Sequence, residues 1–167
     1  MSLLTTLGLE KPSIGTAIPN LGPAALIFHF LFAYGILSSR TLKQYYGIDH
    51  NVSPREDLAK YGEAAVTSGK ITRSQLNMLK RNESAHANSV ENYTLLVAAV
   101  GIATVAGVDK VTVNRAVAVY TVARIAYAAV YITIERELLS QARGICWWIG
   151  NVSCLTLLWK AGILLSQ

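Results

Sequence analysis

The chain has 167 residues, 52% of them hydrophobic and only 15% charged, with a formal charge of +5 and a positive mean hydropathy. An ordinary soluble domain carries about 25% charged residues, so this composition excludes one and points to a small integral membrane protein. The basic excess does not mark a nucleic-acid binder, because the cations of the first loop are interleaved with Asp49, Glu56, Asp57, Glu63 and Glu83.

In chain order, membrane spans are expected at about 18–39, 72–106, 111–134 and 144–165, the second having a polar first half and an apolar second half. Each contains enough residues for the roughly 20 helical positions that cross a hydrocarbon layer of about 30 Å. The expected fold is all-α: one domain over 1–167, built as a bundle of four transmembrane helices. Lys11 alone precedes the first span and no small-residue cleavage site follows it, so the span reads as retained. Arg40, Lys43, Arg55, Lys60, Lys70, Arg73, Lys80 and Arg81 crowd the first loop, whereas the second offers Lys110 and then Arg115. The positive-inside rule therefore places the first loop in the cytosol, together with the third, which carries Arg136 and Arg143, and puts both termini on the other side.

Two helix starts are written into the first loop. Ser53-Pro54-Arg55-Glu56 has a capping Ser, a Pro and a third-position Glu, which predicts a helix from about Pro54 to Ser68 that stops at Gly69. Thr72-Arg73-Ser74-Gln75 is a second capping box, and no Gly or Pro follows it through Val100. That predicts a helix of about 30 to 35 residues, roughly 50 Å long, whose first turns must project beyond the bilayer.

The string Ser84-Ala85-His86-Ala87-Asn88-Ser89-Val90-Glu91-Asn92 runs into the apolar half of this helix. Polar and ionisable groups inside a membrane are costly and mark sites where something polar is held. Counting back about 20 residues from Ala106 puts the membrane edge near Ala87 and Glu91 about 6 Å inside it. Ser84, Asn88, Glu91 and Leu95 share one face, which Arg81 extends outward. On the third span, which runs the opposite way, Tyr120, Arg124, Tyr127 and Tyr131 form a stripe with Tyr131 near the same edge and Arg124 about 10 Å in. The fourth span begins just after Arg143. Three segments thus deliver polar groups to one depth.

Each group also has a plainer role open to it. Glu91 and Arg124 could form a structural ion pair, His86 could orient a helix, Asn88 could bond between helices, and Tyr127 and Tyr131 could belong to an interfacial aromatic belt. His29 and Asn151 read as helix-packing contacts. Cys146 and Cys154 have neither bridging nor metal-ligand spacing and read as buried small hydrophobes, so no metal is expected. Taken together, the carboxylate, arginines, asparagine and tyrosines suit a zwitterionic ligand with several carboxylates, whose ammonium group Glu91 would take.

The string His86-x-Asn88-x-x-Glu91-Asn92 before an apolar helix resembles the second-helix signature of the membrane-associated proteins in eicosanoid and glutathione metabolism, the MAPEG family. Arg124-Ile125-Ala126-Tyr127-Ala128-Ala129-Val130-Tyr131 is similar to that family's third-helix pattern, and Arg143-Gly144-Ile145-Cys146-Trp147-Trp148-Ile149-Gly150 to the start of its fourth helix. The resemblance implies a homotrimer of four-helix subunits, in an internal membrane such as the endoplasmic reticulum, with glutathione bound between neighbouring subunits at the cytosolic side. It assigns Asn88, Glu91, Arg124, Tyr127 and Tyr131 to glutathione, places Arg143 near the thiol, and gives Arg40 an auxiliary part with glutathione or the second substrate. Ser84 stands where many members carry an arginine, and Arg81, one turn earlier, is the candidate replacement.

The activity this implies is that of a glutathione-dependent transferase or peroxidase acting on a lipophilic electrophile from the bilayer, with glutathione as co-substrate and Arg143, then Tyr131, beside the reacting sulfur. Two other readings stay open: a glutathione-independent isomerase or cyclase, which Ser84 favours, and a non-catalytic lipid-binding member, against which Arg143 argues.

Overall fold

Pro23 in the first turn, where a missing N–H has no helical acceptor to lose, opens the first long helix of the chain. The computed structural model describes residues 2–12, 14–15 and 17–167, and these form helices joined by turns. A short helix α1 (Leu3–Thr6), capped by Ser2, precedes α2 (Gly22–Leu31). The latter continues into a π-helical turn over Phe32–Ile36. There follow α3 (Ser39–Tyr45), α4 (Asp57–Thr67), α5 (Arg73–Val105), α6 (Lys110–Thr133), α7 (Glu137–Ser140) and α8 (Ala142–Leu165).

Three helical stretches, Gly22–Tyr45, Lys110–Thr133 and Glu137–Leu165, are long and apolar enough to cross a membrane. With its 33 residues α5 has the length for a fourth span, but its polar string keeps it out of that apolar set. The bundle core lies where α5, α6 and α8 meet, around Leu96, Ala99, Ala103, Val117, Leu157 and Ala161. Alanine at three of these positions lets the helices approach closely, which is how packing is gained where lipid is as apolar as the side chains. The thiols are free: Cys154 is buried in this core as expected, but Cys146 is only half-buried, because it borders an apolar groove between α6 and α8.

At the end of the bundle away from the first loop, Asn114 ties the N-terminal segment to α6. Its amide donates to the Thr6 and Pro19 carbonyls at 3.0 and 2.9 Å, and its oxygen accepts from the Leu21 N–H at 2.8 Å. Asp109 caps α6 by accepting the Thr112 N–H at 2.9 Å, and hydrogen bonding from Thr112, first its side chain and then its N–H, holds the Asp109 carboxyl below the usual carboxylate range.

The first loop folds into a lobe of its own around Ile48, Leu58, Ile71, Leu76 and Leu79. Its second helix start is as expected: Thr72 Oγ1 accepts the Gln75 N–H at 3.2 Å and Gln75 Oε1 accepts the Thr72 N–H at 2.7 Å. Gly69 adopts φ +75° at the turn before it, a conformation that favours glycine. The first start is displaced. Rather than opening a helix at Pro54, residues 53–56 make a turn in which the Glu56 N–H donates to the Ser53 carbonyl at 3.0 Å, and α4 begins at Asp57. The reason is Asp57, which is fully buried and turned toward Lys43 at 3.6 Å while accepting the His50 N–H at 3.2 Å. Lys43 is itself buried, reaches Glu83 at 3.0 Å and donates to the Pro54 carbonyl. One ammonium group thereby fastens α3, α4 and α5 together.

Removing one partner of a buried ion pair strands the other, at about 3–5 kcal/mol. Lys43→Ala is therefore expected to open the lobe, read as rapid hydrogen exchange over residues 46–72, and Lys43→Met with Asp57→Leu to recover most of the protection. At the other end, Asp109→Ala should destabilise the protein by about 1 kcal/mol. Because the folded-state pKa of Asp109 is depressed, its contribution is complete above the unfolded value of about 3.9 and fades as pH falls through the folded one. Thermal unfolding of the two proteins should converge in acid.

Candidate functional site

The third-span stripe and the polar string of α5 meet at Arg124. Its side chain is 1% exposed, and its guanidinium donates to the Asn88 carbonyl at 3.2 Å, to Asn88 Oδ1 at 3.4 Å and to Ser89 Oγ at 3.3 Å. A ring covers one side of it, with the guanidinium carbon 4.4 Å from the Tyr127 centroid. Tyr127 packs edge-on against Tyr131 at 5.5 Å, and the Arg143 guanidinium lies over the Tyr131 ring at 4.6 Å. Asn88, Arg124, Tyr127, Tyr131 and Arg143 thus form one continuous train from α5 through α6 to the first turn of α8. The spacing of four and three along α6 sets its tyrosines on one face, and the short connection over 134–141 returns Arg143 to the same level.

Other expected members stand elsewhere. Glu91 makes no ion pair with Arg124, so that alternative is corrected: three residues beyond Asn88 it lies about 60° round the helix, exposed to the outside. It belongs to a stripe of exposed residues, Ser84, Ala87, Glu91, Thr94, Ala98 and Gly101, spaced alternately three and four apart. His86 turns to α2, where its Nδ1 donates to the Ala33 carbonyl at 2.9 Å. That carbonyl sits in the π turn, a local widening often found at functional sites. Glu91 and His86 line a cavity of about 410 Å³ with Tyr34, Ser39, Arg55 and Glu83.

The two auxiliary arginines are committed to other contacts. Arg40 grips Asp49 through two hydrogen bonds of 3.0 and 2.7 Å and reaches Asn51. Arg81 donates to the Ile132 carbonyl and to Glu135, each at 3.0 Å, capping the end of α6 rather than serving in place of Ser84. Ser84 donates to its own helix at the Lys80 carbonyl. Sequence inspection gave no separate role to Ser89, which helps to hold Arg124; Tyr120, already in the stripe, donates its hydroxyl to the Asn92 carbonyl at 3.2 Å. The available signal was that Ala85, Ser89, Asn92 and Leu96 repeat at four, three and four, which marks the core-facing side of α5. His29 is a packing contact as expected, bonded to Thr121 at 2.9 Å.

Arg143 is half-buried, fixed on its ring, and paired with no carboxylate among the described residues. A cation held this way stabilises an anion brought to it. No group of three or more histidine, cysteine or acidic side chains able to hold a metal occurs among the described residues. Neither a curated protein nor a solved structure matches the chain. The family model of the MAPEG family matches residues 21–163, which take in the whole train and the Glu91 cavity, and the chain belongs to that family.

Proposed function

We propose that this protein is a membrane-bound, glutathione-dependent transferase or peroxidase whose thiolate is stabilised by Arg143. The observation that carries the reading is the unpaired Arg143 guanidinium seated on Tyr131 at the end of a hydrogen-bonded and stacked train. A free thiol has a pKa near 8.5, and only its thiolate is the nucleophile. An adjacent guanidinium that lowers this value by one to two units, about 1.4 to 2.7 kcal/mol, makes the thiolate abundant at neutral pH. The Tyr131 hydroxyl can add a hydrogen bond to sulfur. In transfer the sulfur bonds to the electrophilic carbon and the leaving group departs; in peroxide reduction it takes the terminal oxygen as the O–O bond breaks and the alcohol leaves, and a second thiol then displaces water to form the disulfide.

The lipophilic partner comes from the bilayer. A groove of about 850 Å³ between α6 and α8 begins at Gly144 and Ile145, next to Arg143, and continues along Val119, Trp148 and Val152. Within one subunit the Arg143 train and the Glu91 cavity occupy different sides of α5. The exposed three-and-four stripe that contains Glu91 has the repeat of a helix-packing seam and small residues suited to close approach. A homotrimer packed on this stripe sets the Glu91 side of one subunit against its neighbour, so we place the complete site between subunits, at the cytosolic end, with α5 as the fourth span. The endoplasmic reticulum is the proposed membrane.

One observation favours the isomerase or cyclase reading: Ser84 and Arg81 leave the α5 side of the train without a free cation. Turnover of a lipophilic substrate without glutathione would select it.

Arg143→Ala should cut turnover of a generic electrophile at pH 7 by about eight- to twenty-fivefold, the ratio of thiolate fractions when a thiol held one to two units below 8.5 returns to that value. Its rate profile should shift to alkaline pH by the same one to two units, and unchanged turnover removes Arg143 from the mechanism. Ala98→Trp, in the middle of the exposed stripe, should yield monomers by light scattering in detergent and lose glutathione binding.

A further inference from the structure

Most arginines here are already engaged. Among the described residues Arg40 pairs with Asp49, Arg73 with Glu63 and Arg81 with Glu135. Arg115 donates to the Leu7 and Gly8 carbonyls, Arg124 is shared by Asn88 and Ser89, and Arg143 lies on Tyr131. Arg55 has no such contact, and it lines the same cavity of about 410 Å³ as Glu91. Its backbone is anchored next door, where the buried Lys43 receives the Pro54 carbonyl as acceptor.

The other ionisable groups of that cavity already have partners, although Glu83 shares its one ammonium, Lys43, with the buried Asp57. Glu83 is held by Lys43 at 3.0 Å, and His86 directs its Nδ1 proton to the Ala33 carbonyl. What remains facing the space is one guanidinium, one carboxylate and the hydroxyls of Tyr34 and Ser39. A simple anion would satisfy Arg55 and be repelled by Glu91; a simple amine would do the reverse. A molecule bearing an ammonium and a carboxylate together satisfies both. At about 410 Å³ the cavity lies within the range of ligand pockets, ample for an amino-acid end.

We infer that this cavity receives the α-amino acid end of the co-substrate, with Arg55 binding its carboxylate and Glu91 its ammonium group. The inference rests on the glutathione reading above, in which the γ-glutamyl end alone carries both groups on one carbon. It gives the first loop a part in substrate selection, since Arg55 comes from the lobe that Lys43 secures.

The test is calorimetric titration of the full-length protein in detergent with glutathione and with 4-aminobutyryl-cysteinyl-glycine, which lacks only the α-carboxylate. Arg55→Ala should weaken glutathione about tenfold, the size of one exposed charge-assisted contact, and leave the affinity for the analogue unchanged; Arg55→Lys should restore part of the loss. Equal affinities of wild type and Arg55→Ala for glutathione, or equal losses for both ligands, overturn the role of Arg55 while glutathione binding itself stands. Absence of glutathione binding by the wild type overturns both that reading and this one.

Discussion

A guanidinium enclosed in an apolar helix bundle is the constraint on which the rest of this structure depends. A charged side chain at the centre of a membrane helix costs about 2.5 to 3.5 kcal/mol even on lenient insertion scales, so Arg124 must be met by polar groups at its own depth. Asn88 and Ser89 supply oxygen acceptors and Tyr127 a ring face. These contacts fix the rotation of α6 against α5, and the tyrosine stripe of α6 is thereby aimed at the start of α8. Gly150 of α8 packs beside the Arg124 stem, so three long helices are set around one side chain. Arg124 is in this sense a positioning residue, whereas Arg143 is a cation without a carboxylate partner among the described residues.

A second buried cation does the same service outside the bundle. Lys43 brings Asp57, Glu83 and the Pro54 carbonyl to one point, and the lobe it closes is water-facing, so its leucine and isoleucine cluster gains the ordinary hydrophobic stabilisation that the spans do not. The lobe therefore behaves as a small folded cap on the end of α5 rather than a flexible loop. The turn that displaces the start of α4 also presents Arg55 to the cavity beside Glu91. Local geometry and the shape of the cavity are coupled through a lysine that does not itself line it.

The separation of Glu91 from Arg124 changes where a site can be. The Glu91 cavity and the arginine train look outward from different sides of α5, and the exposed stripe that contains Glu91 has the spacing of a helix seam. Polar groups left at a membrane surface need a neighbour to cover them. In the oligomer proposed above, a subunit boundary meets that need.

Much of this was legible in the residues themselves. The Thr72–Gln75 capping box fixed the start of α5, apolar length fixed α6 and α8 to within a few residues, and the spacing of Arg124, Tyr127 and Tyr131 fixed a common face, because helix starts and periodicity are local properties of the chain. What a local pattern cannot contain is which distant group answers a given side chain. Only the tertiary structure decided that Arg40 binds Asp49, that Arg81 caps α6, that Asp57 moves the start of α4 and that Glu91 faces outward. Each of these is settled by competition among charges far apart in sequence: a buried or half-buried ion takes the counter-charge or carbonyl that folding brings nearest, and the helix pattern gives its direction but not its neighbour.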